Sequence, residues 1–152
     1  SRELQKIELK EGLERRQRAA LLFFCKEAEG FIGELSRMLG PGVDGVELKT
    51  RRGSSYTRII GSQEGGLMVE KDGVAFSLDW RDMDPRSLLQ LHRSLIDRSG
   101  GEEKKEELLL QAMSFSWLRK LREEARGVAE EVIGIRPDFA VQWEQIMEDF
   151  GE

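Results

Sequence analysis

At 152 residues and 17.4 kDa the chain has the length of one ordinary domain, enough to bury a core without disulfide or metal staples. Apolar residues at 39% beside 35% charged exclude a collagen, a disulfide scaffold and a membrane protein. The formal charge of −5, from 24 Lys and Arg against 29 Asp and Glu, disfavours indiscriminate attraction to nucleic acid or anionic lipid.

The N-terminal segment, residues 1–40, reads as one long helix. Leu21, Ala28 and Leu35 stand seven apart, and Phe24, Phe31 and Met38 repeat the spacing on the neighbouring position, giving a two-position seam. Upstream the same heptad positions fall on Lys10, Glu14 and Gln17, so the first turns are expected to fray or face solvent. Gly40-Pro41-Gly42 stops the helix with a left-handed cap and a residue that cannot continue it.

From residue 43 to 80 the period becomes two. Val46 and Leu48, Tyr56 and Ile60, Leu67 and Val69, and finally Val74, Phe76, Leu78 and Trp80 alternate with other residues, and turn signals separate the runs. Asp72-Gly73 is a strong hairpin signal, because both residues of the tight turn must reach positive φ. The expected structure is a four-stranded antiparallel meander, with Leu48, Ile60, Val69, Phe76 and Leu78 on the face turned to helices.

Asp84 as N-cap and Pro85 at the first helical position open the next helix, whose Leu88, Leu91, His92 and Leu95 share a face. A linker is expected from Asp97 to Gly101. Glu102, Glu103, Glu106 and Glu107 then favour the positive end of a long helix running to about Glu131, with a continuous stripe from Leu108 to Val132. A last helix, from about Asp138, carries Phe139, Trp143, Ile146, Met147 and Phe150. The fold class is therefore α+β, one domain in which the N-terminal helix and three C-terminal helices over residues 85–152 cover one face of the meander.

Reactive residues are few. His92 beside a leucine stripe reads as a packing residue, and Cys25 inside the Phe-rich seam reads as a buried, inert thiol. One His and one Cys far apart cannot build a zinc shell, and Asp79, Asp82 and Asp84 lack the spacing of a calcium loop, so no metal and no cofactor is expected. The glycines form no phosphate-cradling motif. A lone cysteine favours a reducing compartment, and the localisation expected is cytoplasmic. The longest apolar block, Ala19 to Cys25, falls far short of the roughly 20 residues of a membrane span, and no membrane partner is expected. The start at Ser1 fits a processed product or an excised piece of a longer protein.

Two surfaces remain as candidates. The helix seam, with Leu21, Phe24, Phe31 and Leu35, could pair with another helix, either the chain's own long helix from Glu102 to Glu131 or a second protein; a protein partner or a homodimer is the leading expectation, and the function class is a non-enzymatic interaction or regulatory module. Lys49, Arg51, Arg52 and Arg58 with Tyr56 make the one local positive patch, which offers an alternative as a nucleic-acid or anion contact on a basic hairpin. Arg51-Arg52-Gly53-Ser54 also fits a basophilic kinase site, where a phosphate would reverse the sign of that patch. The final acidic helix, with Glu144, Glu148, Asp149 and Glu152, is expected to dock on its own domain. An enzyme using dispersed carboxylates is the third reading.

Residues 43–95 end in Trp80-Arg81-Asp82-Met83-Asp84-Pro85-Arg86-Ser87-Leu88-Leu89-Gln90-Leu91, a W-x-D-φ-x-P-x-x-L-x-x-L pattern. It resembles small uncharacterised β-meander modules in large multidomain bacterial proteins, some of them kinase-linked. The resemblance implies a non-catalytic accessory or sensing module in which Trp80 and the leucines are architectural, and it supplies no catalytic residues.

Overall fold

A computed structural model describes residues 1–99 and 103–152, so the expected Gly100 and Gly101 linker positions and Glu102 lie outside the described residues. Helix α1 covers Arg2–Leu39, strands β1 to β4 cover Val43–Lys49, Ser55–Gln63, Gly66–Lys71 and Val74–Asp79, and α2 to α5 cover Pro85–Ser99, Lys105–Leu118, Arg122–Ile135 and Phe139–Asp149. The fold is α+β with a four-stranded antiparallel sheet in the order β1-β2-β3-β4, a simple meander. The chain divides into two compact units, Glu29–Leu108 and a second made of Ser1–Ala28 with Leu109–Glu152.

In the sheet unit, local chemistry sets the boundaries as the sequence indicates. α1 stops at Leu39, and Gly42, at φ 83°, turns the chain into β1, its amide donating to the Leu39 carbonyl at 3.0 Å. Asp72 and Gly73 both adopt positive φ, 54° and 79°, as the tightest hairpin requires. Asp84 accepts from the Arg86 amide at 3.2 Å and caps α2. One contact has no local sequence signal: Ser87, buried on α2, accepts the Lys49 amide at 2.8 Å and ties the helix to β1.

The core of this unit gathers Phe31, Leu35 and Leu39 from α1, Val46, Leu48, Ile59, Leu67 and Val69 from the sheet, and Leu88, Leu91 and Leu95 from α2. This corrects the strand faces expected from alternation. Ile59 is buried and Ile60 is 42% exposed, because the β2–β3 register shifts between Ile59 and Gly61. One extra residue in a strand reverses every inside-outside assignment beyond it. Phe76 is also 42% exposed although it pairs with buried Val69, and no residue of the edge strand β4 is buried.

The helical unit is built on aromatics. Trp117 lies at its centre, with ring centroids of Phe24 at 5.5 Å, Trp143 at 5.8 Å and Phe150 at 5.8 Å. Ala125, Val128, Ala129 and Val132 supply the buried face of α4. The acidic last helix does dock within its own unit: Arg16 on α1 pairs with Asp149 at 3.1 Å, and the Gln17 side-chain amide donates to the Asp149 carbonyl at 2.8 Å.

The single long helix expected from 102 to 131 is two helices. α3 ends at Leu118, Lys120 takes φ 63°, the Leu121 amide donates to the Ser116 carbonyl at 2.9 Å, and the Lys120 amide donates to the Trp117 carbonyl at 3.0 Å. This pair of bonds is a Schellman cap, which usually carries glycine at the left-handed residue. A lysine there leaves no signal in the sequence and costs about 1 kcal/mol. Lys120→Gly is expected to raise stability by up to about 1 kcal/mol, read as a higher urea midpoint; an unchanged or lower midpoint would show that the Lys120 backbone is not strained.

Candidate functional site

The outward side of α1 is the largest feature left unexplained by either core. In a 38-residue helix, Leu13, Gln17, Ala20 and Phe24 face inward, while Leu4, Ile7, Glu11, Glu14, Arg18 and Leu21 are all exposed. These last six share one stripe, because successive steps of three and four residues return to the same side of a helix. Leu22, 66% exposed, and Cys25 extend the same stripe. The stripe is apolar at its two ends and charged between them, on a helix anchored at Arg16 and Gln17.

The structure divides the four expected interaction residues. Leu21 is 42% exposed and lies on the outward stripe, whereas Phe24, Phe31 and Leu35 are fully buried within the chain and belong to its core. Those three are corrected from partner contacts to fold-holding side chains: the heptad seam predicted as an interface is the face by which α1 packs on its own chain. Cys25 is corrected in the opposite sense. It is exposed, because it stands one residue past Phe24 and so about 100° round the helix from the buried face.

The basic hairpin is also divided. Arg51, Arg52, Ser54 and Tyr56 line one cleft of about 360 Å³ together with Thr50, Leu78 and Asp82. Neither Arg51 nor Arg52 has an ion-pair partner among the described residues. The Tyr56 ring lies 6.0 Å from that of Phe76, with the Lys71 ammonium 5.7 Å above it. Lys49 and Arg58 do not join them: Lys49 pairs with Glu47 at 3.5 Å, and Arg58 is held by Glu70 at 3.2 Å and Asp44 at 3.6 Å. Sequence proximity put five residues in one patch; an ion pair within β1 removes Lys49 and cross-strand pairs remove Arg58.

His92 is 1% exposed, packed against Phe31 at 4.5 Å between ring centroids with the rings tilted by 36°, and its Nε2 has no hydrogen-bond partner. Burial, with a smaller contribution from Arg93 and a small opposing one from Glu34, pushes its pKa down from 6.5 to about 4. It is a neutral packing ring at ordinary pH. A further cleft, of about 520 Å³ between α4 and α5, is edged by Glu130, Glu144, Glu148 and Glu152, with Trp143 and Met147 lining it. Its one cation, Arg126, is already engaged by Glu152 at 2.7 Å. Among the described residues no group of His, Cys, Asp and Glu is placed to hold a metal ion, and no helix is long and apolar enough to cross a membrane. Comparison with family models, curated proteins and solved structures returns no match.

Proposed function

We propose that the protein is a non-enzymatic interaction module that associates with itself through α1. The carrying observation is the exposed stripe from Leu4 to Cys25, which its own unit leaves uncovered. Each aliphatic side chain removed from water there contributes up to about 2 kcal/mol, against the entropy lost on association. A contact confined to one helix face is small, so the dissociation constant should be on the order of micromolar. Sedimentation equilibrium tests it. The wild-type mass should rise from 17.4 kDa toward twice that value with concentration, while Ile7→Glu with Leu21→Glu should remain monomeric with unchanged circular dichroism. A wild-type chain that stays monomeric at hundreds of micromolar overturns the proposal.

A second reading is favoured by the pair of unpaired guanidinium groups beside Tyr56. Arg51 and Arg52 could hold phosphates while Tyr56 and Phe76 stack on a base, so a single-stranded oligonucleotide is the fitting ligand. Binding should weaken steeply with salt and fall at least about tenfold in Arg51→Glu with Arg52→Glu. Absence of any mobility shift with oligonucleotides at low salt would dismiss this reading.

A further inference from the structure

Charge order along the same stripe says more than that a partner is present. Leu4 and Ile7 occupy its first turns, Glu11 and Glu14 follow, then Arg15 and Arg18, and the apolar Leu21, Leu22 and Cys25 close it. Glu11, Glu14, Arg15 and Arg18 are exposed and have no ion-pair partner among the described residues. The stripe is thus apolar at both ends, with acids on one side of its midpoint and bases on the other.

We infer that a second copy of the chain lies antiparallel along α1, crossing near residues 14 and 15. This rests on the self-association reading and adds its geometry. A two-fold axis at that midpoint sets residue i of one helix near residue 29 − i of the other, so one register satisfies the whole stripe. Leu4 and Ile7 of one copy meet Leu22 and Cys25 of the other, with Leu21 alongside, and Glu11 and Glu14 meet Arg18 and Arg15. The same operation repeats every contact twice, as an isologous dimer demands. A parallel pair in register would instead set Glu11 against Glu11, Arg18 against Arg18 and Cys25 against Cys25, and would oppose like charges across the contact. The electrostatic gain at an exposed contact is modest, and its main effect is to select direction and register.

Cys25, the chain's single cysteine, makes the direction measurable. Under mild copper–phenanthroline oxidation, Leu4→Cys should give disulfide-linked dimer at least about tenfold faster than wild type, because the introduced thiol lies against Cys25 of the other copy. Wild type cross-linking as fast as the variant would mean that Cys25 faces Cys25, which overturns the antiparallel arrangement and leaves self-association standing. A sedimenting dimer in which neither protein cross-links also overturns it. A wild-type monomer overturns both readings.

Charge reversal gives an independent check. Glu11→Lys with Glu14→Lys should dissociate about tenfold more readily, and so should Arg15→Glu with Arg18→Glu. An equimolar mixture of the two, each checked for helix content by circular dichroism, should recover the dimer. Charge-reversed proteins that dimerise as well as wild type would remove the charge-matched register.

Discussion

Trp117→Ala is expected to lower the free energy of unfolding by about 3 to 5 kcal/mol, a large part of the roughly 5 to 15 kcal/mol available to a domain of this kind. Trp117 is 2% exposed and touches three other aromatic rings, drawn from α1, α5 and the residue just after α5. Truncation removes the side chain's transfer free energy and leaves a void that Phe24, Trp143 and Phe150 cannot close without leaving their own packing. It also takes away the ring beneath a guanidinium. The Arg122 guanidinium carbon sits 3.4 Å from the Trp117 ring centroid, its Nε lies 4.0 Å from a Glu152 carboxylate oxygen, and its Nη1 is buried with no hydrogen-bond partner, so the ring face adds to the ion pair in holding the cation. Trp117→Phe keeps a ring under Arg122 and should cost clearly less. Urea unfolding followed by circular dichroism checks the pair. A loss below about 1 kcal/mol for the alanine variant would mean that Trp117 does not organise the helical unit.

The second large effect is a dependence on pH set by His92. The folded protein holds this ring neutral down to about pH 4, whereas the unfolded chain takes up a proton near pH 6.5. Between those values the unfolded state binds more protons than the folded one, so stability falls as pH falls, by about 1.4 kcal/mol per pH unit. The total is about 3 kcal/mol across the window, and the loss ends where the folded state also becomes protonated. His92→Leu should flatten the profile over this range, since leucine fills a similar volume and leaves no unpartnered nitrogen. Asp79 and Asp149 act in a different window. Hydrogen bonds from Arg81 and Arg16, respectively, hold their carboxyls below the ordinary 3.8, so the stability they confer is present above that value and is lost only at lower pH. A wild-type profile that is level from pH 6.5 to 4 would refute the His92 assignment.

What could be read from the sequence was whatever local chemistry decides. Asp84-Pro85, Asp72-Gly73 and the glycines around Pro41 each specify a backbone geometry within two or three residues, and the boundaries at α2, the β3–β4 hairpin and the end of α1 follow from them. The α+β class and the four-stranded meander were legible for the same reason. What failed depended on partners distant in the sequence or on a local cap made by an unusual residue. The Ile59 and Ile60 exchange comes from a register shift against β3, which a period of two cannot contain. The break at Lys120 comes from a cap that used lysine where glycine is usual. In α1 the periodicity found an apolar face correctly but could not tell inward from outward. Phe24, Phe31 and Leu35 were assigned to a partner when they belong to the core, while the weaker stripe through Ile7 and Leu21 was left exposed. That stripe carries few apolar residues, so a search for hydrophobic repeats passes over it, and its charge order becomes visible only once burial is known.

If the outward stripe of α1 is where two copies meet, folding and association are linked, and the thermal unfolding midpoint must depend on protein concentration. Across an approximately hundredfold range above the dissociation constant, the wild-type midpoint should rise by about 4 °C, while that of Ile7→Glu with Leu21→Glu should stay level. A wild-type midpoint that does not move with concentration would contradict self-association through this helix.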